Sequence, residues 1–193
     1  MSERGAMLVE RLCDMLADSV IEGMVSIHVA AKMRAEGGAI TRTFQELIRE
    51  VPMWDERVKR TEMVRVLRQS PEAKRVLALT IYATCDALGI PREEPPSLED
   101  FLHMAYKRLA RQAWMSPRLF DVTELDYLHT YRLVCAAISA TVGDCVHFEH
   151  MGDDDEDDDA TSNASGASSD AEIDEPAQPI TPAQPAQPAQ PVM

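Results

Sequence analysis

The chain contains few of the features that place a protein in a membrane or outside the cell. Its 193 residues include no run of about 18 apolar residues, so the sequence predicts no transmembrane helix. The first ten residues mix both charges with apolar side chains, which is not the pattern of a secretory signal. We therefore expect an intracellular protein that is not secreted.

Cysteine is scarce and unpaired in sequence. The four cysteines, at positions 13, 85, 135 and 145, lie far apart, and no two are spaced as in a zinc framework or a disulfide-rich domain. We expect reduced, partly buried thiols.

The usual catalytic signatures are also missing. The sequence has no glycine-rich phosphate loop, no nucleophile elbow, no zinc framework and no pattern of paired carboxylates. We therefore predict no catalytic residue, no cofactor and no metal site, and we expect a protein that is not an enzyme.

Basic residues are absent from the chain after Arg132. All 19 Lys and Arg and 22 of the 33 acids lie before residue 151, so residues 1–150 carry a net charge of only −3. The last 43 residues hold the other 11 acids, including the unbroken run Asp153–Asp159, and then Pro-Ala-Gln repeats from Pro182 to Pro191. Such a segment cannot bury enough apolar surface to offset its ordering entropy. The sequence predicts a domain over residues 1–150 and a disordered acidic and Pro-Ala-Gln-rich tail over residues 151–193.

What the first 150 residues do contain is helical periodicity. Apolar side chains recur at spacings of three and four, and no strand-like alternation of any length occurs. The pattern predicts an all-α fold, a single bundle of five or six helices. The predicted core positions of the longest segments are Val9, Leu12, Leu16, Val20, Met24, Ile27 and Ala31; Ala73, Leu77, Ile81, Cys85 and Leu88; Leu98, Leu102, Ala105, Leu109 and Ala113; and Leu128, Tyr131, Cys135, Ile138, Val142 and Cys145.

Local signals predict where the helices begin and end. The first helix is expected over about residues 7–36, before Gly37-Gly38, the third over 55–69, and the fourth up to Gly89. Four N-terminal caps are predicted from hydroxyl residues followed by an acid or a proline. They are Thr43 with Glu46, Ser70 before Pro71, Ser97 with Asp100, and Thr123 with Asp126.

Three aromatic residues stand beside prolines at predicted corners. Trp54 follows Pro52, and Trp114 and Phe120 flank Pro117. Aromatic side chains at such corners usually attach two helices to the core, so we expect both tryptophans to be in the core. The alternative for Trp54 is an exposed anchor for a partner.

One group of polar residues has the composition of an acid–base site. Asp100, His103, Tyr106 and Lys107 lie at helical spacing and could exchange protons if their side chains converged. The interpretation that we favour is a helix whose first-turn acid lies near the helix dipole while His103 and Lys107 face water.

A second group could bind a metal ion. Cys145, His147 and His150 supply ligands suited to zinc or copper. No second pair of ligands accompanies them, and we favour a fraying helix end with histidines near its negative pole.

Residues 57–75 form the most basic segment. Seven bases against two acids give a net charge of +5, which could contact nucleic-acid phosphates. The interpretation of this segment that we favour is a solvated charged face. A further hypothesis is that it contacts the chain's own acidic tail. The candidate contact residues are Arg57, Arg60, Arg65, Arg68, Lys74 and Arg75, whereas Lys59 is predicted to point the other way.

Two motifs carry a resemblance to known proteins. The first is Phe44-Gln45-Glu46-Leu47-Ile48-Arg49-Glu50-Val51-Pro52-Met53-Trp54, and the second is Asp100-Phe101-Leu102-His103-Met104-Ala105-Tyr106 with Ala110-Arg111 and Ser116-Pro117-Arg118-Leu119-Phe120. Together they resemble an uncharacterised helical protein family of large nucleocytoplasmic DNA viruses, over about residues 8–146.

The resemblance implies a viral protein located in the host cytoplasm or in the virion. No activity is established for that family. We expect a non-enzymatic structural or protein-interaction module with viral or host protein partners. The alternative is a nucleic-acid-associated protein that uses the basic 57–75 segment and is autoinhibited by its acidic tail. An enzyme based on His103 is the third hypothesis.

Overall fold

The computed structural model describes residues 3–92, 94–123 and 125–147. These residues form six α-helices and two 3-10 turns and contain no β-strand, which confirms the all-α prediction. The predicted tail, residues 151–193, lies outside the described residues. The helices are α1 (Glu3–Arg34), α2 (Ile40–Glu50), α3 (Glu56–Gln69), α4 (Ala73–Leu88), α5 (Leu98–Met115) and α6 (Tyr127–His147), with 3-10 turns at Val51–Met53 and Pro117–Phe120.

The long helix α1 is the centre of the bundle. It packs against α2, α3, α4 and α6, which is possible because apolar side chains lie on several of its sides. Leu12, Leu16, Val20 and Met24 are fully buried, as their spacing predicts. Burial of each such side chain stabilises the fold by roughly 1.5–3 kcal/mol.

Helix α5 supplies the second main apolar face, packing on α2, α3 and α6. All five of its predicted core positions are buried. Phe101 and Tyr106 are also fully buried, so the buried face is wider than the predicted stripe. Ser97 caps this helix as expected, because its Oγ accepts from the Asp100 amide at 3.1 Å.

Three of the predicted caps are wrong. Thr43 lies inside α2, which begins at Ile40, and its hydroxyl donates to the Ala39 carbonyl at 3.2 Å. Gly37 and Gly38, between α1 and α2, have φ of 59° and 84°, a left-handed conformation that favours glycine. A threonine within a helix can bond back to the carbonyl four residues earlier, and the sequence pattern does not distinguish this from a cap.

Ser70 and Thr123 fail as caps for a different reason, because each hydroxyl bonds elsewhere. The Ser70 hydroxyl donates to the Met15 carbonyl at 2.8 Å, which ties the end of α3 to α1. The Thr123 hydroxyl donates to Asp121 at 2.8 Å. Asp126 caps α6 instead, accepting from the His129 amide at 3.0 Å.

The core prediction is wrong at several exposed positions. Trp114 is 41% exposed, and Leu88 and Leu128 are about half exposed, at 49% and 56%. Helix α6 is rotated relative to its predicted stripe, so that its buried face includes Thr130, Val134, Ile138, Thr141, Val142 and Val146. Phe120 is fully buried as expected, and Trp54 is partly buried against the core.

Candidate functional site

A buried tyrosine joins α5 to α3. The Tyr106 side chain is fully buried, and its hydroxyl donates to Glu62 Oε2 at 2.8 Å. Arg65 Nη2 donates to the Tyr106 oxygen at 2.9 Å and to Glu62 Oε2 at 2.6 Å. The sequence pattern did not predict this cluster, although Glu62 and Arg65 lie one turn apart on α3.

Glycine in α1 makes room for the cluster. A Cβ atom at Gly23 would lie 2.0 Å from the Tyr106 hydroxyl oxygen and 2.7 Å from Arg65 Nη2. Any larger residue at this position would therefore displace the buried phenol. Arg65 Nη1 also reaches Glu22 Oε2 of α1 at 3.4 Å, so the cluster connects three helices.

The buried phenol is unsuited to proton transfer. Burial, together with the nearby Glu62 carboxylate, raises the pKa of Tyr106 well above its usual value. Tyr106 is therefore a neutral hydrogen-bond donor near neutral pH, and its role here is to hold α3 and α5 together.

His103 also has a structural environment, at a corner with Trp54. Its Nε2 lies 2.8 Å from the Val51 carbonyl oxygen. Since a carbonyl only accepts, that nitrogen is the donor. The His103 and Trp54 rings are nearly parallel at 16°, with centroids 6.1 Å apart. The expectation that His103 faces water is therefore wrong.

The four residues of the acid–base hypothesis do not converge. Asp100 accepts from its capping partner Ser97 and lies 3.9 Å from Lys59 Nζ. Tyr106 is fully buried, and Lys107 lines a surface groove with Trp114. The arrangement provides helix-to-helix contacts rather than a shared reaction centre.

The two sequence motifs meet in space. Trp54, from the first motif, packs against Tyr106, from the second, with ring centroids 5.0 Å apart. The contact between Val51 and His103 joins the same two segments. What the motifs encode is thus the corner at which the 3-10 turn Val51–Met53 docks on α5.

The basic segment divides between different environments. Arg57, Arg60, Arg65 and Arg68 line one open groove of about 680 Å³ on α3. Lys74 lines another, beside Pro95 and Pro96, and Arg75 is exposed.

Not all of these bases are free. Lys59 forms an ion pair with Glu56, and Arg65 forms an ion pair with Glu62. Val64 lines the same α3 groove and is 40% exposed. Among the described residues, Arg57, Arg60 and Arg68 form no ion pair, so three cations remain available on this face.

The predicted Cys145-His147-His150 group is only partly described. Cys145 is half-buried near the end of α6, the backbone of His147 ends that helix, and His150 lies outside the described residues. Within the described ranges, no group of three His, Cys, Asp or Glu side chains is placed to hold a metal ion.

Cys13 is a buried, protected thiol. Cys13 lies against α6, where its Sγ donates to the Cys135 carbonyl at 3.6 Å. Burial raises the pKa of the Cys13 thiol to about 12. Because the thiolate is the reactive form, Cys13 is inert at neutral pH.

An apolar groove lies between α2 and α5. Its volume is about 310 Å³, and its lining residues are Ile48, Arg49, Pro52, Lys107, Ala110, Arg111 and Trp114. The Gln45 side chain donates to the Trp114 carbonyl at 3.0 Å and so fixes the end of α5 against α2. The sequence did not predict this groove, because the residues on its two sides are about sixty positions apart in the chain.

The sequence model of a Family of unknown function (DUF5764) matches residues 2–121, more than half of the chain. The protein belongs to DUF5764. No curated protein and no solved structure matches it.

The DUF5764 match covers α1 to α5 and the 3-10 turn that follows. It therefore includes the Tyr106 cluster, the corner at Trp54 and the apolar groove. Helix α6 lies beyond the match. No helix among the described residues is both long and apolar enough to cross a membrane.

Proposed function

We propose that this DUF5764 protein is a non-enzymatic interaction module of a large DNA virus. The observation that carries the proposal is the exposed Trp114, which is 41% exposed at the edge of an apolar groove. Tryptophan is among the residues that most often dominate binding energy at protein interfaces. An interaction module presents such an anchor without needing a reaction centre.

The uses of His103 and Tyr106 support the same proposal. Both polar side chains are engaged in contacts between helices, and the phenol is neutral near neutral pH. A chain that uses its candidate acid–base groups to hold its fold together fits a structural or binding role.

The viral assignment rests on the two motifs. Both lie within the DUF5764 match, and they pack on each other at the corner formed by Trp54 and Tyr106. A shared corner of this kind would account for the resemblance to the viral family. We propose the host cytoplasm or the virion as the location of the protein.

Affinity capture tests this function. The full chain, tagged and expressed in infected cells, should recover defined viral or host proteins in near-stoichiometric amounts, and mass spectrometry of purified particles should show whether the complex is packaged. Recovery of a monomer without any partner, from cells and from particles alike, would contradict the proposal.

A second candidate is association with nucleic acid through α3. The observation in its favour is the α3 groove, where Arg57, Arg60 and Arg68 lie together without an ion pair among the described residues. The acidic run at residues 153–159 would then compete with phosphate for these cations and autoinhibit binding.

If α3 binds nucleic acid, two full-length variants should change DNA binding in opposite directions. Replacing the seven acids of residues 153–159 with Asn and Gln should strengthen binding of labelled duplex DNA, and Arg57→Glu with Arg60→Glu should abolish it. Binding should weaken steeply with added salt. If the variant without the seven acids does not bind DNA in about 50 mM salt, the nucleic-acid hypothesis is wrong.

A further inference from the structure

The groove between α2 and α5 has an apolar floor. Ile48 is 2% exposed and Ala110 is 4% exposed, so both present apolar surface at the base. Pro52 and Trp114 line the groove nearer the solvent. Each of these two is followed in the chain by an exposed methionine, Met53 at 74% and Met115 at 69%. Flexible methionine side chains adapt readily to a bound surface.

The charged residues that line the groove all have the same sign. They are Arg49 of α2 and Lys107 and Arg111 of α5, and no carboxylate of residues 3–92, 94–123 or 125–147 lines the groove. Among the described residues, none of the three takes part in an ion pair or a side-chain hydrogen bond. Arg92 and Arg108, in contrast, are paired with Asp86 and Asp144, whereas Arg57, Arg60 and Arg68 of the α3 groove have no ion pair among the described residues either. The groove therefore combines an apolar floor with unneutralised positive charge.

We propose that this groove binds a short acidic amphipathic segment of a partner protein. Large apolar side chains of the segment would enter between Ile48 and Trp114, and flanking Asp or Glu side chains would pair with Arg49, Lys107 and Arg111. This inference rests on the interaction function proposed above and specifies its partner.

Charge complementarity distinguishes this occupant from others. A nucleic-acid duplex would gain from the cations but would set its polar backbone against the apolar floor and Trp114. A basic or neutral segment would gain from the floor but would meet three cations of like sign. An acidic segment with apolar anchors is complementary to both features.

A random twelve-residue peptide library, displayed on phage and selected against the full chain, tests the proposal. The enriched peptides should carry a net negative charge together with at least two large apolar residues. Fluorescence anisotropy of an enriched peptide would then measure affinity. Trp114→Ala and Arg111→Glu should each weaken binding about ten-fold or more, because each removes a central contact.

Matched controls separate this site from general electrostatic attraction. Arg57→Glu makes the same charge change on α3 and should alter affinity less than about two-fold, because charges on a different face are largely screened at 0.15 M salt. Met33→Ala removes an apolar side chain that is 84% exposed on α1 and should likewise have little effect. Circular dichroism should confirm that all four variants retain the fold.

Several results would overturn the proposal. They are enrichment of basic or neutral peptides, unchanged affinity in both groove variants, and an Arg57→Glu effect as large as that of Arg111→Glu. Light scattering that shows a dimer dissolved by Trp114→Ala would assign the groove to a second copy of the chain. If affinity capture recovers partners equally with the groove variants, the groove assignment fails and the interaction function stands. If capture recovers no partner, the function itself fails.

Discussion

Substitution of Gly23 with alanine should destabilise the protein, although alanine is the better helix former. The added Cβ would lie 2.0 Å from the Tyr106 hydroxyl oxygen, far inside van der Waals contact. The phenol is fully buried and is held by Glu62 and Arg65. Room for the methyl group can be made only by moving the ring and stretching these two hydrogen bonds.

The magnitude follows from three contributions. Overpacking of a close contact costs about 1–3 kcal/mol, and weakening a hydrogen bond to a charged group costs up to about 1.5–3 kcal/mol. Alanine in place of glycine in a helix returns about 1 kcal/mol. We expect Gly23→Ala to lower the free energy of unfolding by about 2–4 kcal/mol.

A double-mutant cycle identifies the clash as the cause. Tyr106→Phe removes the oxygen and leaves the ring carbon, 3.0 Å from the new Cβ, and Arg65 Nη2 as the nearest atoms. In that background Gly23→Ala should cost about 1.5 kcal/mol less, because neighbouring substitutions that share a contact are not additive.

Urea unfolding followed by circular dichroism measures all the terms of this cycle. Gly143→Ala, in α6, is the matched control, since a Cβ there meets no atom within 4 Å, and it should stabilise the protein by up to about 1 kcal/mol. The reasoning is refuted if Gly23→Ala is as favourable as Gly143→Ala, or if the cycle is additive within about 0.5 kcal/mol.

Three further predictions concern side chains in contrasting environments. Burial lowers the pKa of His28 from 6.5, so below about pH 6.5 the unfolded chain binds a proton that the folded chain does not. The free energy of unfolding should therefore fall as pH decreases from about 6.5 towards the lowered pKa. His28→Phe should flatten that part of the stability profile, as measured by urea unfolding. Trp54→Ala should cost about 3 kcal/mol in the same assay, because the ring packs on Tyr106, whereas Trp114→Ala should cost less than about 1 kcal/mol; equal costs would contradict the assigned burial. Cys13 should resist a thiol reagent at pH 8 until the protein is unfolded, as mass spectrometry of the labelled peptides would show.

The sequence predicted the features of the fold that depend on local periodicity. The stripe from Leu12 to Met24 and that of α5 are correct, because a helix buries the side that carries its apolar residues. The predicted caps at Thr43 and Ser70 are wrong because a hydroxyl can bond to the start of a helix, to a carbonyl of its own helix or to another helix, and the sequence pattern is the same in each case. Only the packed structure decides among these partners.

The features of the candidate site that involve several helices could not be predicted. Gly23, Arg65 and Tyr106 lie on three helices, and nothing in their spacing shows that they meet. The apolar groove likewise brings together Ile48 of α2 and Trp114 of α5, which are far apart in the sequence. Both tryptophans stand near a proline at a helix corner, where an aromatic side chain usually packs in the core. Among the described residues, Trp114 is nevertheless 41% exposed, whereas Trp54 is partly covered by α5.

Site-specific photo-crosslinking in infected cells tests the interaction function and the groove together. A benzophenone amino acid would replace Trp114 in one full-length protein and Arg57 in another, and the adducts would be identified by mass spectrometry. The account predicts discrete protein adducts from position 114, through acidic segments of the partner, and none from position 57. Absence of adducts at position 114, or nucleic-acid adducts at position 57, would contradict it.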